Sequence, residues 1–149
     1  MAKVLRAIIL ILCFLTARTA FAACHVVTSS GSGSKTGTDW NNSYAKLPAT
    51  LVRGDIYYLS DGTYGSYTFN TTLSGTTQVE IRKAQAADHC SDSGWNASTM
   101  GNAQAQFSDI TVGVSSTTGY LTVNGNGASS AQGCGRSPAA NAPASDCGI

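Results

Sequence analysis

Short apolar runs separated by turn-forming residues dominate the chain after residue 50. The runs at 56–59 (IYYL), 67–70 (YTFN) and 78–83 (QVEIRK) are rich in branched and aromatic residues, and apolar and polar positions alternate in the last two. Alternation with a period of two is typical of a β-strand with one buried face. The runs at 105–114 and 120–123 have the same character. The pattern therefore predicts an all-β fold built from short strands.

Turn residues separate these strands at intervals that suit a solenoid. The turn signals include Asp61-Gly62, Tyr64-Gly65, Ser74-Gly75 and Asn124-Gly125. The strand-turn-strand units recur every 20 to 27 residues, roughly, which is the range of solenoid coils. One such coil cannot bury its apolar face alone and needs coils stacked above and below it. The Gly, Ser, Thr and Asn content suits the tight corners of a parallel β-helix.

One segment before the strands has a helical spacing. Four apolar side chains are separated by four, three and four residues and share one helical face: Trp40, Tyr44, Leu47 and Leu51. Asp39 is a suitable N-cap, and Pro48 interrupts the pattern. We therefore expect a short helix from Asp39 that ends near Lys46 or Leu47. The preceding Gly- and Ser-rich stretch makes 23–38 a flexible N-terminal segment.

The first 22 residues have the three-part order of a secretory signal peptide. Lys3 and Arg6 precede an apolar run at 7–15, and a more polar stretch ends in the A-x-A motif at 20–22. A membrane-spanning helix needs about 20 apolar residues, so this run is too short. We therefore expect 1–22 to be removed and the protein to be secreted, either to the extracellular space or to the periplasm. An uncleaved membrane anchor is the alternative.

Cys24 leaves a second fate open. Cleavage after Ala23 would place Cys24 at the mature N-terminus, which resembles a lipoprotein processing site with Phe21 where Leu is usual. A lipid on Cys24 would anchor the protein to a membrane surface. Without that lipid we expect no membrane partner.

Composition and charge exclude several classes of protein. Charged residues make up 11% of the chain, under half of the roughly 25% that is typical of soluble domains. Glu80 is the single glutamate of the chain, and this composition excludes a coiled coil. The longest basic run is Arg82-Lys83, too little to neutralise nucleic-acid phosphates. After residue 22, six basic and eight acidic side chains remain, a net charge of −2. We therefore expect no nucleic-acid partner.

Cysteine usage agrees with export. The four cysteines after the leader are Cys24, Cys90, Cys134 and Cys147. Four cysteines in an oxidising compartment permit two disulfides in three pairings. Cys134 and Cys147 enclose a Gly-, Pro- and Ala-rich loop, so we favour that pair, and Cys24 then pairs with Cys90. The alternative is a metal site built from the Cys-His pairs at 24–25 and 89–90, but zinc ligands usually lie two to four residues apart, so we expect none.

Three segments, in order, resemble the start of secreted right-handed parallel β-helix proteins. They are GTDWNNSY at 37–44, GDIYYLSDGTY at 54–64 and VEIRKA at 79–84. The corresponding family pattern is G-T-x-W-x-x-A-F, then G-D-x-I-Y-L-x-x-G-x-Y, then an I-x-I-x-x-A strand. The family is the pectate-lyase-like superfamily, which includes polysaccharide lyases of the chondroitinase B and alginate lyase kind. The resemblance covers about residues 31–127 and marks a fold, not an activity.

The resemblance implies an architecture for 39–127. A short helix around Trp40 and Tyr44 would cap the N-terminal end, and the first coils of the β-helix would follow. The interior would be lined by Ile56, Tyr58, Tyr67, Phe69, Val79, Ile81, Phe107, Ile110, Val112, Leu121 and Val123. Such proteins run to several hundred residues, and 128–149 forms a Gly-, Ala- and Ser-rich loop with no closing cap. We therefore expect an N-terminal fragment of a longer, monomeric protein.

The resemblance also implies a chemistry. Lyases of this superfamily cleave uronic-acid polymers by β-elimination: a base removes the proton beside a carboxylate that Ca²⁺ or Arg/Lys neutralises. In the family these groups lie on middle coils that 1–149 does not reach. We therefore assign no catalytic or substrate-binding residue in this chain. We expect no cofactor in this chain, and the resemblance implies that a full-length protein could bind Ca²⁺. A polysaccharide is the expected partner.

Local candidates for chemistry each have a structural interpretation that we favour. The ionisable ones are Arg82, Lys83, Asp88, His89 and Asp92. Arg82 and Lys83 fit a solvated strand edge, and His89 a loop beside a disulfide. Trp95, Tyr57 and Tyr64 offer rings to a sugar, but packing is the commoner role of such aromatics. The tripeptide 53–55 (RGD) matches an integrin ligand, yet its place before a strand favours a turn.

Three hypotheses follow from the sequence. The first is the N-terminal part of a secreted polysaccharide lyase. The second is a non-catalytic β-helix that serves as an adhesin or surface-binding module. The third is a small, complete, disulfide-bonded secreted protein.

Overall fold

The computed structural model describes residues 22–112 and 119–125, which form an all-β structure with very little helix. The strands are β1 (Cys24–Val27), β2 (Ile56–Leu59), β3 (Gly62–Tyr64), β4 (Tyr67–Phe69), β5 (Val79–Lys83), β6 (Ala105–Phe107), β7 (Ile110–Val112) and β8 (Leu121–Asn124). The helical elements are a 3₁₀ turn at Trp40–Asn42 and a four-residue helix, α1 (Ala97–Met100). The expected strands are confirmed, whereas β1 lies in the segment expected to be flexible and β3 in one expected to be turns.

Within 22–112 and 119–125, the eight strands pair in parallel and form three sheets. Sheet A has the order β1-β2-β5-β8, sheet B pairs β3 with β6, and sheet C pairs β4 with β7. The chain passes from sheet A to B to C through β2, β3 and β4, and repeats that order through β5, β6 and β7 before β8 returns to sheet A. Parallel neighbours require such crossover connections, because a hairpin cannot join them.

The spacing between paired strands changes along the chain. Ile56 pairs with Glu80, 24 residues later, which fits the expected repeat. Glu80 pairs with Thr122, which is 42 residues later. The difference arises because the segment between β5 and β6, which contains α1, adds residues to the second circuit. The regular repeat therefore holds for one circuit and is broken by an insertion in the next.

The outer edge of β1 is covered by the residues after the 3₁₀ turn. Tyr44 N donates to Val26 O (3.0 Å), and Thr28 N donates to Tyr44 O (2.9 Å), which makes a parallel bridge beside β1. The expected helix from Asp39 to Leu47 is wrong, because these backbone groups pair with β1 and are not available for i to i−4 bonds. Asp39 makes no side-chain capping bond. Coverage of the first edge is thus achieved by strand-like pairing.

Sheet A is buried on both faces. The main cluster is lined by Val27, Leu47, Leu51, Tyr57, Leu59, Tyr64, Tyr67, Phe69, Val79, Ile81 and Ala105. A second cluster covers the opposite face and contains Val26, Trp40, Tyr58 and Ala84, with Ile56 packed against it. The expected interior positions of Ile56 and Tyr58 are therefore wrong by one residue. Ile56 pairs with Glu80, and paired residues of parallel strands share a face, so Tyr57 and not Ile56 accompanies Ile81.

Two further expected interior residues are not buried. Val112 is 46% exposed and Val123 is 41% exposed, whereas Phe107, Ile110 and Leu121 pack partly against the main cluster. These side chains belong to β6, β7 and β8, which are the last strands of their sheets within the described ranges. A side chain on a terminal strand has neighbours on one side only, so it is covered less completely.

A disulfide joins β1 to the segment after β5. Cys24 and Cys90 are bonded, with a Cα–Cα distance of 5.8 Å, as expected for this pair. The sulfur atom of Cys24 cannot carry a lipid thioether while it is in this bond, so the two fates of Cys24 exclude one another. Cys134, Cys147, the rest of the 128–149 segment and residues 1–21 of the leader lie outside the described residues. Within those residues, we find no helix of the length and apolarity that crossing a membrane requires.

Candidate functional site

Two open hollows meet at Asp61, on the corner between β2 and β3. The smaller has a volume of about 310 Å³ and is lined by Thr28, Ser29, Ser30, Gly31, Ser32, Trp40, Ser60, Asp61, Thr99 and Met100. The larger has a volume of about 590 Å³ and is lined by Asp61, Gly62, Thr63, Ala103, Gln104 and Gln106. Both volumes lie in the range of small-molecule sites, about 300–1,000 Å³. Together they form a polar groove, hereafter the Asp61 groove.

Asp61 fixes one wall of the Asp61 groove. Its Oδ2 atom accepts hydrogen bonds from the backbone N–H groups of Asn102 (3.0 Å) and Ala103 (2.8 Å). Its own backbone N–H donates to Met100 O at 3.0 Å. Lys83 Nζ lies 2.8 Å from its Oδ1 atom. The carboxylate therefore holds the chain after α1 against the corner, and the position of Met100–Ala103 depends on it.

Lys83 is buried, contrary to the solvated strand edge expected from its sequence. The residue is 4% exposed, and its Nζ donates to Ala84 O (2.6 Å) and Met100 O (2.9 Å) besides contacting Asp61. Burial lowers the pKa of the ammonium, and the neighbouring carboxylate opposes that shift. An ammonium has three donors, and three acceptors surround this one. Lys83 therefore links β5 to the groove wall through its contacts with Met100 O and Asp61.

Arg82 points to the opposite face of sheet A and is fully engaged there. Its Nε and Nη2 atoms make a bidentate pair with Glu80, both at 2.8 Å, and its Nη1 donates to Asp88 Oδ2 at 2.8 Å. Tyr58 donates its hydroxyl to Asp88 Oδ1 at 2.5 Å. Desolvation and, to a smaller extent, the bond to Asp88 raise the pKa of Tyr58 to about 12. The hydrogen bonds to Glu80 and Asp88 raise the pKa of Arg82 above its usual value. This network stabilises the sheet and holds the Arg82 guanidinium between Glu80, Asp88 and Tyr58.

His89 lies in an aromatic stack, as the structural interpretation predicted. Its Nε2 atom is 2.8 Å from Asp92 Oδ1, and its Nδ1 atom is 3.1 Å from a backbone carbonyl oxygen. The imidazole stacks on Trp95 with centroids 4.4 Å apart, and Trp95 in turn contacts Trp40 at 4.9 Å. Trp40 Nε1 donates to His89 O at 2.9 Å. The stack fixes the loop that carries Cys90.

The three aromatic residues considered for sugar stacking are packed into the structure. Tyr57 is 2% exposed, and its hydroxyl accepts a bond from Val52 N at 2.9 Å. Tyr64 is 4% exposed, and burial raises the pKa of its phenol to about 12. Trp95 lies between His89 and Trp40. The packing interpretation is therefore confirmed for all three rings.

The charged ends of the RGD tripeptide are occupied, which confirms the turn. Asp55 Oδ2 lies 3.0 Å from His25 Nε2, and its Oδ1 accepts from Ala23 N. The Arg53 guanidinium donates to five backbone carbonyl oxygens, those of Thr71, Thr72, Thr77, Gly119 and Tyr120. An integrin ligand needs both ends accessible, so this tripeptide is structural. No pattern in the sequence indicates these contacts, because the partners lie far away along the chain.

The Asp61 groove offers hydrogen-bonding groups. Within 22–112 and 119–125, no three His, Cys, Asp or Glu side chains converge on a metal position. The candidate acids and bases are held in the ion pairs given above, and the Asp61 groove presents hydroxyl and amide groups. Comparison of the chain with models of known families, with curated proteins and with solved structures found no match.

Proposed function

We propose that the chain forms the first coils of an exported, right-handed parallel β-helix whose function is to bind and cleave a polysaccharide of uronic acids by β-elimination. The observation that supports this proposal is the strand order: the chain passes through sheets A, B and C in sequence, and the pairs between the described strands are parallel. Crossovers between parallel strands are right-handed in nearly all proteins, which supports the handedness. The family resemblance of the three sequence segments supplies the reaction.

The Asp61 groove supports the polysaccharide part of the proposal. It extends over residues from β3, β6 and the segment after β1, so it spans more than one circuit of the chain. Nine of its side chains carry a hydroxyl or an amide: Thr28, Ser29, Ser30, Ser32, Ser60, Thr63, Thr99, Gln104 and Gln106. Such groups donate and accept hydrogen bonds, as sugar hydroxyls require. A groove whose walls come from more than one circuit suits a chain of sugar units.

The catalytic groups belong, in this proposal, to other parts of the protein. β-Elimination needs a base and a cation that meet at one substrate carboxylate. Among the described residues, Arg82 is held by Glu80 and Asp88, and Lys83 is buried beside Asp61. The same observation favours a second candidate function, a non-catalytic surface-binding or adhesin module.

Assays of the natural exported protein distinguish the two functions. The protein is incubated with pectate, alginate or chondroitin, and the unsaturated product is followed by its ultraviolet absorbance; binding is measured in parallel by retardation in gels with and without each polymer. Product from one polymer is expected, with none from a fragment of residues 23–149. Retardation without product would support the adhesin, turnover by the fragment would place the active site in this chain, and neither retardation nor product would contradict the proposal.

A further inference from the structure

The chemistry of the Asp61 groove points to one class of sugar. We propose that it is a subsite for neutral sugar units that accompany the uronic acids of the glycan, so that the acidic units of the polymer are recognised elsewhere. This inference rests on the proposed function, because it assigns part of a polysaccharide to one place on the coils. It separates two tasks: the groove recognises hydroxyl groups, and another part of the protein recognises carboxylates.

Charge is the first argument for an uncharged ligand. Among the described residues that line the two hollows, Asp61 alone is charged, and it is negative. The nearest cation is Lys83, whose three donors already face Asp61, Ala84 O and Met100 O. A uronate carboxylate entering the groove would therefore meet a like charge and find no lysine donor to pair with. If the uronate displaced the Lys83 ammonium, the Asp61 carboxylate would lose its cationic partner.

The groups exposed in the groove provide the second argument. Ser29, Ser30, Thr63 and Gln106 are exposed, whereas Trp40, the aromatic ring at the base of the smaller hollow, is 2% exposed. Hydroxyls and amides can each donate and accept, so they match the alternating donors and acceptors of neutral sugar hydroxyls. Thr63 and Gln106 are paired positions of β3 and β6, so their side chains stand side by side, about 4.8 Å apart along the sheet. Two neighbouring strands thus present one polar row.

The groove is also held in place before any ligand arrives. Asp61 bonds to Asn102 N and Ala103 N on one wall, and Lys83 bonds to Met100 O on the same wall. Gly62, on the opposite side, donates its N–H to Gln104 O at 3.1 Å. A site whose walls are fixed loses little conformational entropy on binding, which favours affinity for a weakly interacting, hydroxyl-rich ligand.

A pair of matched variants tests the proposal in the natural exported protein. Thr63→Trp places an indole in the larger hollow. Thr68→Trp makes the same change at an exposed position in the middle of β4, which pairs with β7 as β3 pairs with β6 and does not line either hollow. The probes are neutral cello-, manno-, xylo- and galacto-hexasaccharides and hexagalacturonate. Affinity is measured by titration calorimetry, and thermal unfolding verifies that both variants are folded.

We expect at least one neutral hexasaccharide to bind, with an affinity at least tenfold lower in Thr63→Trp and unchanged in Thr68→Trp. The affinity for hexagalacturonate should change less than threefold in either variant. Equal losses in the two variants, or a tenfold loss of hexagalacturonate binding in Thr63→Trp, would overturn the subsite. If only hexagalacturonate bound, and both variants kept that affinity, the subsite would be refuted and the polysaccharide function supported. If no probe bound and no polymer were retarded, both would be refuted.

Discussion

Arg53 ties three successive circuits of the chain together, and its removal gives a quantitative prediction. Its guanidinium donates to carbonyls that follow β4 (Thr71 and Thr72), precede β5 (Thr77) and precede β8 (Gly119 and Tyr120). It also lies over the ring of Phe69, 5.4 Å from the centroid. Arg53→Met removes every donor while it keeps most of the aliphatic stem.

The magnitude follows from which of these bonds are shielded from water. The bonds to Gly119 O (2.6 Å) and Thr71 O (2.7 Å) are partly buried, and the other three are exposed. A hydrogen bond from a charged donor contributes about 1.5–3 kcal/mol, whereas an exposed carbonyl regains water when its donor is lost. The two shielded bonds therefore predict a loss of about 3 kcal/mol in the free energy of unfolding. Arg53→Lys should lose more than half of that amount, because one ammonium nitrogen cannot reach both carbonyls.

Urea unfolding under oxidising conditions, followed by tryptophan fluorescence, measures this loss. Lys46→Met is the matched control, because it removes one positive charge from an exposed side chain. We expect the control to differ from the wild type by less than about 0.5 kcal/mol, the usual effect of a surface substitution. A similarly small effect of Arg53→Met, or equal losses in both variants, would refute the role assigned to the guanidinium.

Three further predictions concern pH, the disulfide and a glycine. Burial raises the pKa of Tyr64 to about 12, so the folded state keeps a proton that the unfolded state releases above about pH 10. The free energy of unfolding should therefore fall between about pH 10 and 12. In urea titrations, Tyr64→Phe should make that fall smaller. Replacing Cys24 and Cys90 by Ser should lower the free energy of unfolding by about 4 kcal/mol, the chain-entropy value for a 66-residue separation. Reductant should then destabilise this variant less than it destabilises the wild type. Gly37→Ala should lower the melting temperature, because its φ is +73° and a Cβ would collide with the ring of Tyr44. Gly75→Ala should lower it less, because at φ +58° it has only the backbone strain and open space around the Cβ.

The sequence predicted the inward face of a strand where the other face is polar, and it misassigned that face where both faces are covered. In β5, Glu80 and Arg82 alternate with Val79 and Ile81, so both the strand and its inward face were predictable. In β2 the run IYYL is apolar throughout, because a second cluster covers the face opposite the main one. Parallel strands buried on both faces lose their alternation, and for that reason the inward positions of β2 were misassigned by one residue.

The site depends on contacts between circuits, which periodicity does not encode. Lys83 ends an alternating strand and has the sequence context of a solvated residue. It is buried because the parallel register brings it to Asp61, 22 positions earlier in the chain. The packing role of the aromatic residues was easier to predict, because Tyr57 and Tyr64 lie in or beside strand-forming runs, where packing is the commoner role. The groove itself was not predicted, since its walls come from the segment after β1, from β3 and from the residues after α1.

The central structural claim is that the chain passes repeatedly through three parallel sheets. Backbone nuclear Overhauser effects in the folded protein test it most directly. The account predicts parallel interstrand contacts at one pair in each sheet: Tyr57 with Ile81, Thr63 with Gln106, and Thr68 with Thr111. Antiparallel cross-strand contacts at these pairs, or hairpin contacts between β2 and β3, would contradict it.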